Sequence, residues 1–442
     1  MPEKRQLSHR FDLLALHRHN PRRYPFLLQS AAQGTSSSQY DILFAFPGEE
    51  IRCDQNSEKA HADFLNHLDV KWKEKQLPEK DDDTIPFCGG WFVYLGYELA
   101  EQIEPSLTLP PAEDGLPIAY AVHVPAAVII DHSMGKTILV AETGRVDLLE
   151  QLSADIDILN IELSVPDTLS VKLAEDAPDG YIDGVNRIKQ YILDGDVFQV
   201  NLSRSWAGTL SNEDAPDVIF QRLCQYNPAP FAGLALIDDA AIISSSPERL
   251  VKVSMGVVET RPIAGTRPRS DTKLTDQDLQ QELLTHPKER AEHIMLIDLE
   301  RNDLGRVCVP GTVEVNELMV LESYAHVHHI VSNVRGRLRP DITPGQVIRA
   351  VFPGGTITGC PKVRCMEIIA ELENLGRGAY TGSMGYLNHD GSMDLNILIR
   401  TMVQKGSRLH LRAGAGIVAD SIPEKELEET RAKARGLLLA LS

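Results

Sequence analysis

The sequence predicts an α+β fold built on large antiparallel sheets, and three observations carry that expectation. Short runs rich in Val, Ile, Phe and Tyr recur along the chain, bounded by Gly, Pro, Asn and Asp. Helical stretches interrupt them without the regular strand–helix–strand spacing that a parallel, doubly wound sheet requires. Near the C-terminus, strand-like segments meet at His389-Asp390-Gly391 and at Lys405-Gly406, turn chemistry suited to antiparallel hairpins.

Taken in order, residues 41–46 and 91–95 read as strands, and a strand pair is expected over 119–130 and 137–141, turning through Asp131, His132 and Gly135. Residues 76–84, with three consecutive Asp, read as a solvated loop, and residues 164–180, with Pro166, Pro178 and Gly180, as a linker. That linker divides an N-terminal region, 1–165, from a second region, 180–442. The second region opens with a helix over 181–194 and a strand over 198–206, followed by strand pairs around Ile242 and over 251–259. A long helical region is expected over 276–302 and an antiparallel meander over 382–387, 393–402 and 409–413. The last helix starts after Ser421, read as an N-cap with Glu424 three residues on and Pro423 in the first turn.

Composition narrows the function. The chain has 442 residues, 43% hydrophobic and 24% charged, enough for a large core. A net charge of −19 argues against nucleic-acid binding and means that an anionic ligand needs local positive charge, from a metal or from placed Arg and Lys. Six cysteines with no CxxC pair fit reduced thiols in a cytoplasmic protein. No signal-peptide pattern and no run of eighteen apolar residues is expected to carry the chain into a membrane.

Two glutamate pairs, Glu289 with Glu292 and Glu426 with Glu429, stand at i and i+3 in helical patterns, so each pair faces one way. Converging, four carboxylates would suit a hard cation such as Mg²⁺, although solvated helices carry the same spacing. Gly354-Gly355-Thr356 and Arg412 to Gly416 are Gly-rich strings whose amides could meet a carboxylate, and equally they are turns or bulges. The His326, His328 and His329 run lacks the neighbours of a metal site and reads as one useful histidine among strand residues. No Ser-His-Asp or Cys nucleophile pattern is present. The residues alone point to a Mg²⁺ enzyme for a small carboxylate.

Eight ordered strings carry the reading further: GDVFQVNLSR from Gly195, SSPERL from Ser245, RPIAGTRPR from Arg261, KERAEHIMLIDLERNDLGRV from Lys288, HHIVSNVRG from His328, GGTITGCPKVRCME from Gly354, GAYTGSMGY from Gly378 and AGAGIVADSIPEKELEETRAKA from Ala413. Together they resemble the chorismate-utilising enzyme family over most of the second region. The resemblance implies an α/β/β/α sandwich, with large antiparallel sheets face to face and helices outside. It implies Mg²⁺ held directly by Glu292 and Glu429 and through water by Glu289 and Glu426. Arg400 and Tyr380, helped by backbone around Gly414, Ala415 and Gly416, would hold the enolpyruvyl carboxylate, with Gly265 and Thr266 also in the substrate site. Glu248 would be the general acid, and His329 and Thr356 would orient the ring.

Two positions discriminate within the family. Gln199 stands where water-using members carry Lys, so an ammonia nucleophile is expected. Ala264 stands where many aminodeoxychorismate synthases carry a covalent Lys, which makes the route non-covalent. The strings YPFLLQSAAQ, QYDILFAFP and NPAPF resemble aminodeoxychorismate synthases more than anthranilate synthases, and Gln29 replaces the Glu of a tryptophan feedback pocket. The expected activity is therefore chorismate amination to 4-amino-4-deoxychorismate, in the folate and 4-aminobenzoate branch. Anthranilate formation is the alternative, and an inert regulatory paralogue the reading from a different class. None of the six cysteines has the setting of an amidotransferase nucleophile, so a separate glutamine amidotransferase subunit is implied.

Overall fold

A computed structural model describes residues 2–7, 11–32, 39–55, 63–78, 85–159, 169, 171–210, 216–269, 272–323 and 327–442. Among them, twelve strands form one antiparallel sheet and ten form a second. The first begins at Glu3–Leu7 and runs through Ala126–Asp131, Tyr40–Ala45, Phe231–Ile237, Ala240–Ser246, Thr401–Lys405 and Arg408–Ile417 to Gln199–Leu210. The second contains Ile263–Pro268, Val327–Arg337, Arg249–Ser254, Met393–Asn396, Ser383–Asn388, Gly90–Leu95 and Ala119–Val124. Both sheets contain strands from before and after residues 160–170: Leu27 pairs with Leu234, and Tyr94 with Met384.

The sheets stack because their strands are apolar on both faces. In Gly90–Leu95, Phe92 and Tyr94 enter the core between the sheets, while Trp91, Val93 and Leu95 pack outward. In Tyr40–Ala45, Ile42 and Phe44 point inward, and Leu43 and Ala45 outward. This is period-two alternation with both sides covered. Phe26 and Phe92 stack across the two sheets with ring centroids 4.0 Å apart. Helices Leu13–His19, Val146–Ile158, Pro216–Tyr226 and Pro423–Ala440 cover the outer face of the first sheet, where Leu148, Phe220 and Leu437 share one core. Helices Phe64–Glu74, Pro287–Gly305 and Pro344–Val351 cover the second. The layering is α/β/β/α. No described helix is long and apolar enough to cross a membrane.

Several elements differ from the sequence expectation. The expected strand over 119–130 is two strands, Ala119–Val124 and Ala126–Asp131, in different sheets. They part at Pro125, which has no amide to donate and whose carbonyl instead accepts from Glu142 N at 2.9 Å. The expected strand over 393–402 likewise splits into Met393–Asn396 and Thr401–Lys405, one in each sheet, so the meander is two hairpins. The helical region over 276–302 breaks at His286, ahead of Pro287, giving Lys273–Thr285 and Pro287–Gly305. Within the expected linker, Val171–Glu175 is a strand paired with Gln199–Leu210 and a helix begins at Pro178, while residues 160–168 and 170 lie outside the described residues. Residues 79–84 of the expected acidic loop lie outside them too. The last helix is capped at Ile422, and the Ser421 hydroxyl accepts from Val418 N instead.

Candidate active site

Two neighbouring segments change sheets side by side. One leaves the first sheet at Ser246 and enters the second at Arg249; the other leaves the second at Asn396 and enters the first at Thr401. They pair on both sides of the crossing, Ser244 with Thr401 and Arg249 with Asn396. Within it, Ile397 N donates to Glu248 O and Ser245 N to Arg400 O, both at 3.0 Å. The crossings therefore deliver Glu248 and Arg400 to one place. Arg400 adopts φ 54° and Thr381, next to Tyr380, φ 64°, left-handed conformations that side chains other than Gly adopt at a cost.

Burial controls the acid. Glu248 is 4% exposed, and loss of water raises its pKa from 4.5 to about 7; the Thr356 hydroxyl, the Ile263 amide, Arg400 and Lys433 only partly offset this. Among the described residues, Glu248 Oε1 and Thr356 Oγ1 are both buried without a hydrogen-bond partner of good geometry. Burial presses the Arg400 pKa down, countered by Tyr380, Glu429 and Glu248, which places those three around the guanidinium. Among the described residues, no side chain hydrogen-bonds or pairs with that guanidinium. Burial raises the Tyr380 pKa and lowers that of His329 to about 4, so His329 is neutral. Its Nδ1 lies 3.3 Å from Gly265 O; a carbonyl only accepts, so Nδ1 carries the hydrogen and Nε2 is left as an acceptor.

Gly265 forms a bulge between Ala264, opposite Ile330, and Thr266, opposite His329. Its φ of 64° favours Gly, and an added Cβ would stand 3.0 Å from Glu289 Oε2. The Thr266 side chain lies outside the described residues, as does His326. His328 is turned away from the site, between Ser323 at 2.7 Å and Asp276 at 2.9 Å. Ala264 offers no polar side-chain atom.

The opposite wall comes from the paired strands Gln199–Leu210 and Arg408–Ile417. A Cβ at Gly414 would lie 2.8 Å from both Tyr380 OH and Asn201 Oδ1, and one at Gly416 would lie 2.4 Å from Gln199 Nε2. Gln199 Oε1 and Asn201 Oδ1 are buried acceptors with no hydrogen-bond partner among the described residues. Ala415 faces the other way, into the core beneath the sheet.

The four glutamates lie on two helices, Pro287–Gly305 and Pro423–Ala440. Glu289 adjoins Gly265, one turn before Glu292, and Glu429 lies within electrostatic reach of Arg400. Glu426 and Glu429 both act on the Tyr181 hydroxyl, raising its pKa after burial has done so. Among the described residues no three of these carboxylates gather tightly; the one compact group of three metal-type ligands is elsewhere, at His123, Glu142 and His389. As a donor set, four oxygen ligands on two helices fit a hard divalent ion that retains water.

Other residues of the site escaped the sequence reading. Lys433 pairs with Glu429 at 2.7 Å and donates to Gly414 O at 2.9 Å. Glu373 receives Arg377 and Arg412, each at 2.7 Å, in a sealed network that also holds Ser203. Arg377 lies over the rings of Tyr97 and Tyr380, which fixes the latter. Glu300, buried beside Asp303 and within reach of Glu248, is held well above the carboxylate range by burial and by Asp303. The i, i+4 spacing of Glu373 with Arg377 was readable as an ion pair, but not that it is buried.

A buried carboxyl that keeps its proton up to about pH 7 stands near a buried guanidinium that, among the described residues, no side chain hydrogen-bonds, an arrangement suited to acid–base chemistry on a small anion. The chain belongs to the chorismate-binding enzyme family, which matches residues 23–439. It is 45% identical over 382 residues to an anthranilate synthase component I-like protein of Synechocystis sp., covering 86% of this chain and 78% of that one. It is 41% identical over 383 residues to aminodeoxychorismate synthase component 1 of Bacillus subtilis, covering 84% and 80%. The crystal structure of anthranilate synthase component I from Streptococcus pneumoniae matches with a TM-score of 0.80 at 32% identity, covering 91% of this chain and 93% of that one.

Proposed function

We propose that this enzyme aminates chorismate with ammonia from a glutamine amidotransferase subunit and releases 4-amino-4-deoxychorismate. The observation that carries the reading is the buried Glu248 carboxyl, with a pKa of about 7, set near the Arg400 guanidinium, which no side chain among the described residues hydrogen-bonds. Arg400 and the Tyr380 hydroxyl hold the enolpyruvyl carboxylate, with backbone at Gly414 and Gly416 completing the cradle. Glu248 protonates the C4 hydroxyl, which departs as water, because hydroxide leaves poorly. Ammonia forms the new bond at C2 and gives up a proton. The Gln199 and Asn201 side-chain oxygens, buried without partners among the described residues, support this reading as acceptors for its N–H bonds. His329 and Thr356 orient the ring.

Mg²⁺, held directly by Glu292 and Glu429 and through water by Glu289 and Glu426, would supply the positive charge that neutralises the ring carboxylate. Ala264 has no amine, so the first product is 2-amino-2-deoxyisochorismate. A second ammonia attacking C4, with a proton delivered to the C2 amine so that it departs as ammonia and a proton released by the incoming nitrogen, gives 4-amino-4-deoxychorismate; loss of pyruvate instead gives anthranilate.

The N-terminal region supports the first path. Leu28, Gln29, Ser30, Phe231 and Met384 line a cavity of about 80 Å³ whose carboxylate, Asp394, is taken by Arg249 at 2.8 and 3.0 Å. Gln29 is neutral, so a tryptophan ammonium would meet no free carboxylate among the lining residues. The anthranilate reading is favoured by Ala264 and by the relatives that carry that name. Incubation with chorismate, Mg²⁺ and ammonium decides: product that added lyase converts to 4-aminobenzoate supports the proposal, and fluorescent anthranilate as the main product overturns it. Glutamine is expected to replace ammonium only when an amidotransferase subunit is added.

A further inference from the structure

His123, Glu142 and His389 converge where the chain passes between sheets at Pro125, on a part of the molecule that the proposed chemistry does not use. His123 belongs to Ala119–Val124 of the second sheet, Glu142 follows Lys136–Ala141 of the first, and His389 turns out of Ser383–Asn388 of the second. Both imidazole Nε2 atoms meet the same carboxylate oxygen, Glu142 Oε1, at 2.6 and 2.5 Å. One ligand atom from each residue lies within 4.8 Å of the other two. We propose that this trio is a binding site for a borderline divalent transition metal, of which Zn²⁺ is the type, clipping the two sheets together.

The donor set is two imidazole nitrogens and one carboxylate, with a further position for water, a composition that suits Zn²⁺ and related ions rather than Mg²⁺. The local sequence is arranged around it. Gly89, at φ 107°, lets the Glu142 side chain pass, because a Cβ there would fall 2.5 Å from Glu142 Cγ. The Trp91 indole meets His389 edge to face at 4.9 Å and His123 at 5.9 Å, so one aromatic wall backs both ligands. His389 is 6% exposed and its Nδ1 is buried without a partner among the described residues, so what Nε2 meets, together with Trp91, places the ring. A metal among the three atoms would need the nitrogens to retreat by less than about 1 Å from their hydrogen-bonded positions, towards metal-ligand spacing.

Stripped full-length protein, with excess Mg²⁺ to fill the glutamate site, is titrated calorimetrically with Zn²⁺, and with Co²⁺ for its visible spectrum. One equivalent of Zn²⁺ should bind and raise the Tm, and Co²⁺ should show the absorption of a nitrogen-ligated, low-coordinate ion. His389→Asn and Glu142→Gln should each weaken Zn²⁺ at least tenfold, while ammonium-dependent turnover, which reports an intact fold, persists. Glu142→Gln keeps an acceptor oxygen for the histidines, so loss of binding there reports lost ligation rather than a lost hydrogen bond. No binding in the presence of Mg²⁺, or binding that both variants leave undiminished, would overturn the proposal and leave a hydrogen-bonded strut.

Discussion

Glu248 and Arg400 occupy facing places in two adjacent segments, each at the point where its segment passes from one sheet to the other, and both segments are bonded through backbone at 3.0 Å. The acid and the cation are therefore fixed by the sheet crossing itself, which holds them more firmly than a loop would.

From this arrangement, activity should fall as pH rises through about 7, because Glu248 must carry its proton to protonate the leaving hydroxyl. Stability moves the same way. Between 4.5 and about 7 the unfolded chain has lost this proton and the folded chain keeps it, so rising pH costs the fold roughly 3 kcal/mol from this group. Glu248→Gln should abolish turnover and flatten that part of the stability profile. A Gln variant with the wild-type slope in urea titrations across this window would show that Glu248 is not so shifted.

Glu292→Gln and Glu429→Gln should each reduce turnover by orders of magnitude at limiting Mg²⁺ with little change in Tm. Glu429 is half-exposed and its pairing with Lys433 is worth under about 1 kcal/mol. Wild-type rates in either variant as Mg²⁺ is titrated down would remove that residue from the metal site.

Lys433→Gln should raise the KM for chorismate several-fold while shifting Tm by only a few degrees. The side chain is the charged donor to Gly414 O, and without it the backbone beside Tyr380 OH loses its anchor. Steady-state kinetics with unchanged KM would confine Lys433 to a surface ion pair.

Glu373→Gln should cost about 3–5 kcal/mol, measurable by urea denaturation, because it leaves Arg377 and Arg412 without their shared anion in the interior. Burial alone would raise the Glu373 pKa; the two guanidiniums bring it below the ordinary value, so this contribution is present above that value and is lost as pH falls. A cost below 1 kcal/mol would show that the pair can relax to water.

The sequence by itself determined the strands whose apolar residues alternate, the turns at Gly391 and Gly406, and, through eight ordered strings, the family; the same strings nominate Glu248, Arg400, Tyr380 and the four glutamates for the proposed chemistry. These are local signals or strings read directly. Tertiary structure alone decided that 119–130 and 393–402 each divide between two sheets, because a strand pattern does not say which sheet a strand joins. It also decided that Lys433 reaches Gly414, that Glu373 and Arg377 pack beside Tyr380, and that His123 and His389, far apart in the chain, share one oxygen of Glu142. A residue's charge is written in the sequence, but its desolvation and its partner are set only when distant segments pack, and those two quantities fix what the charge does.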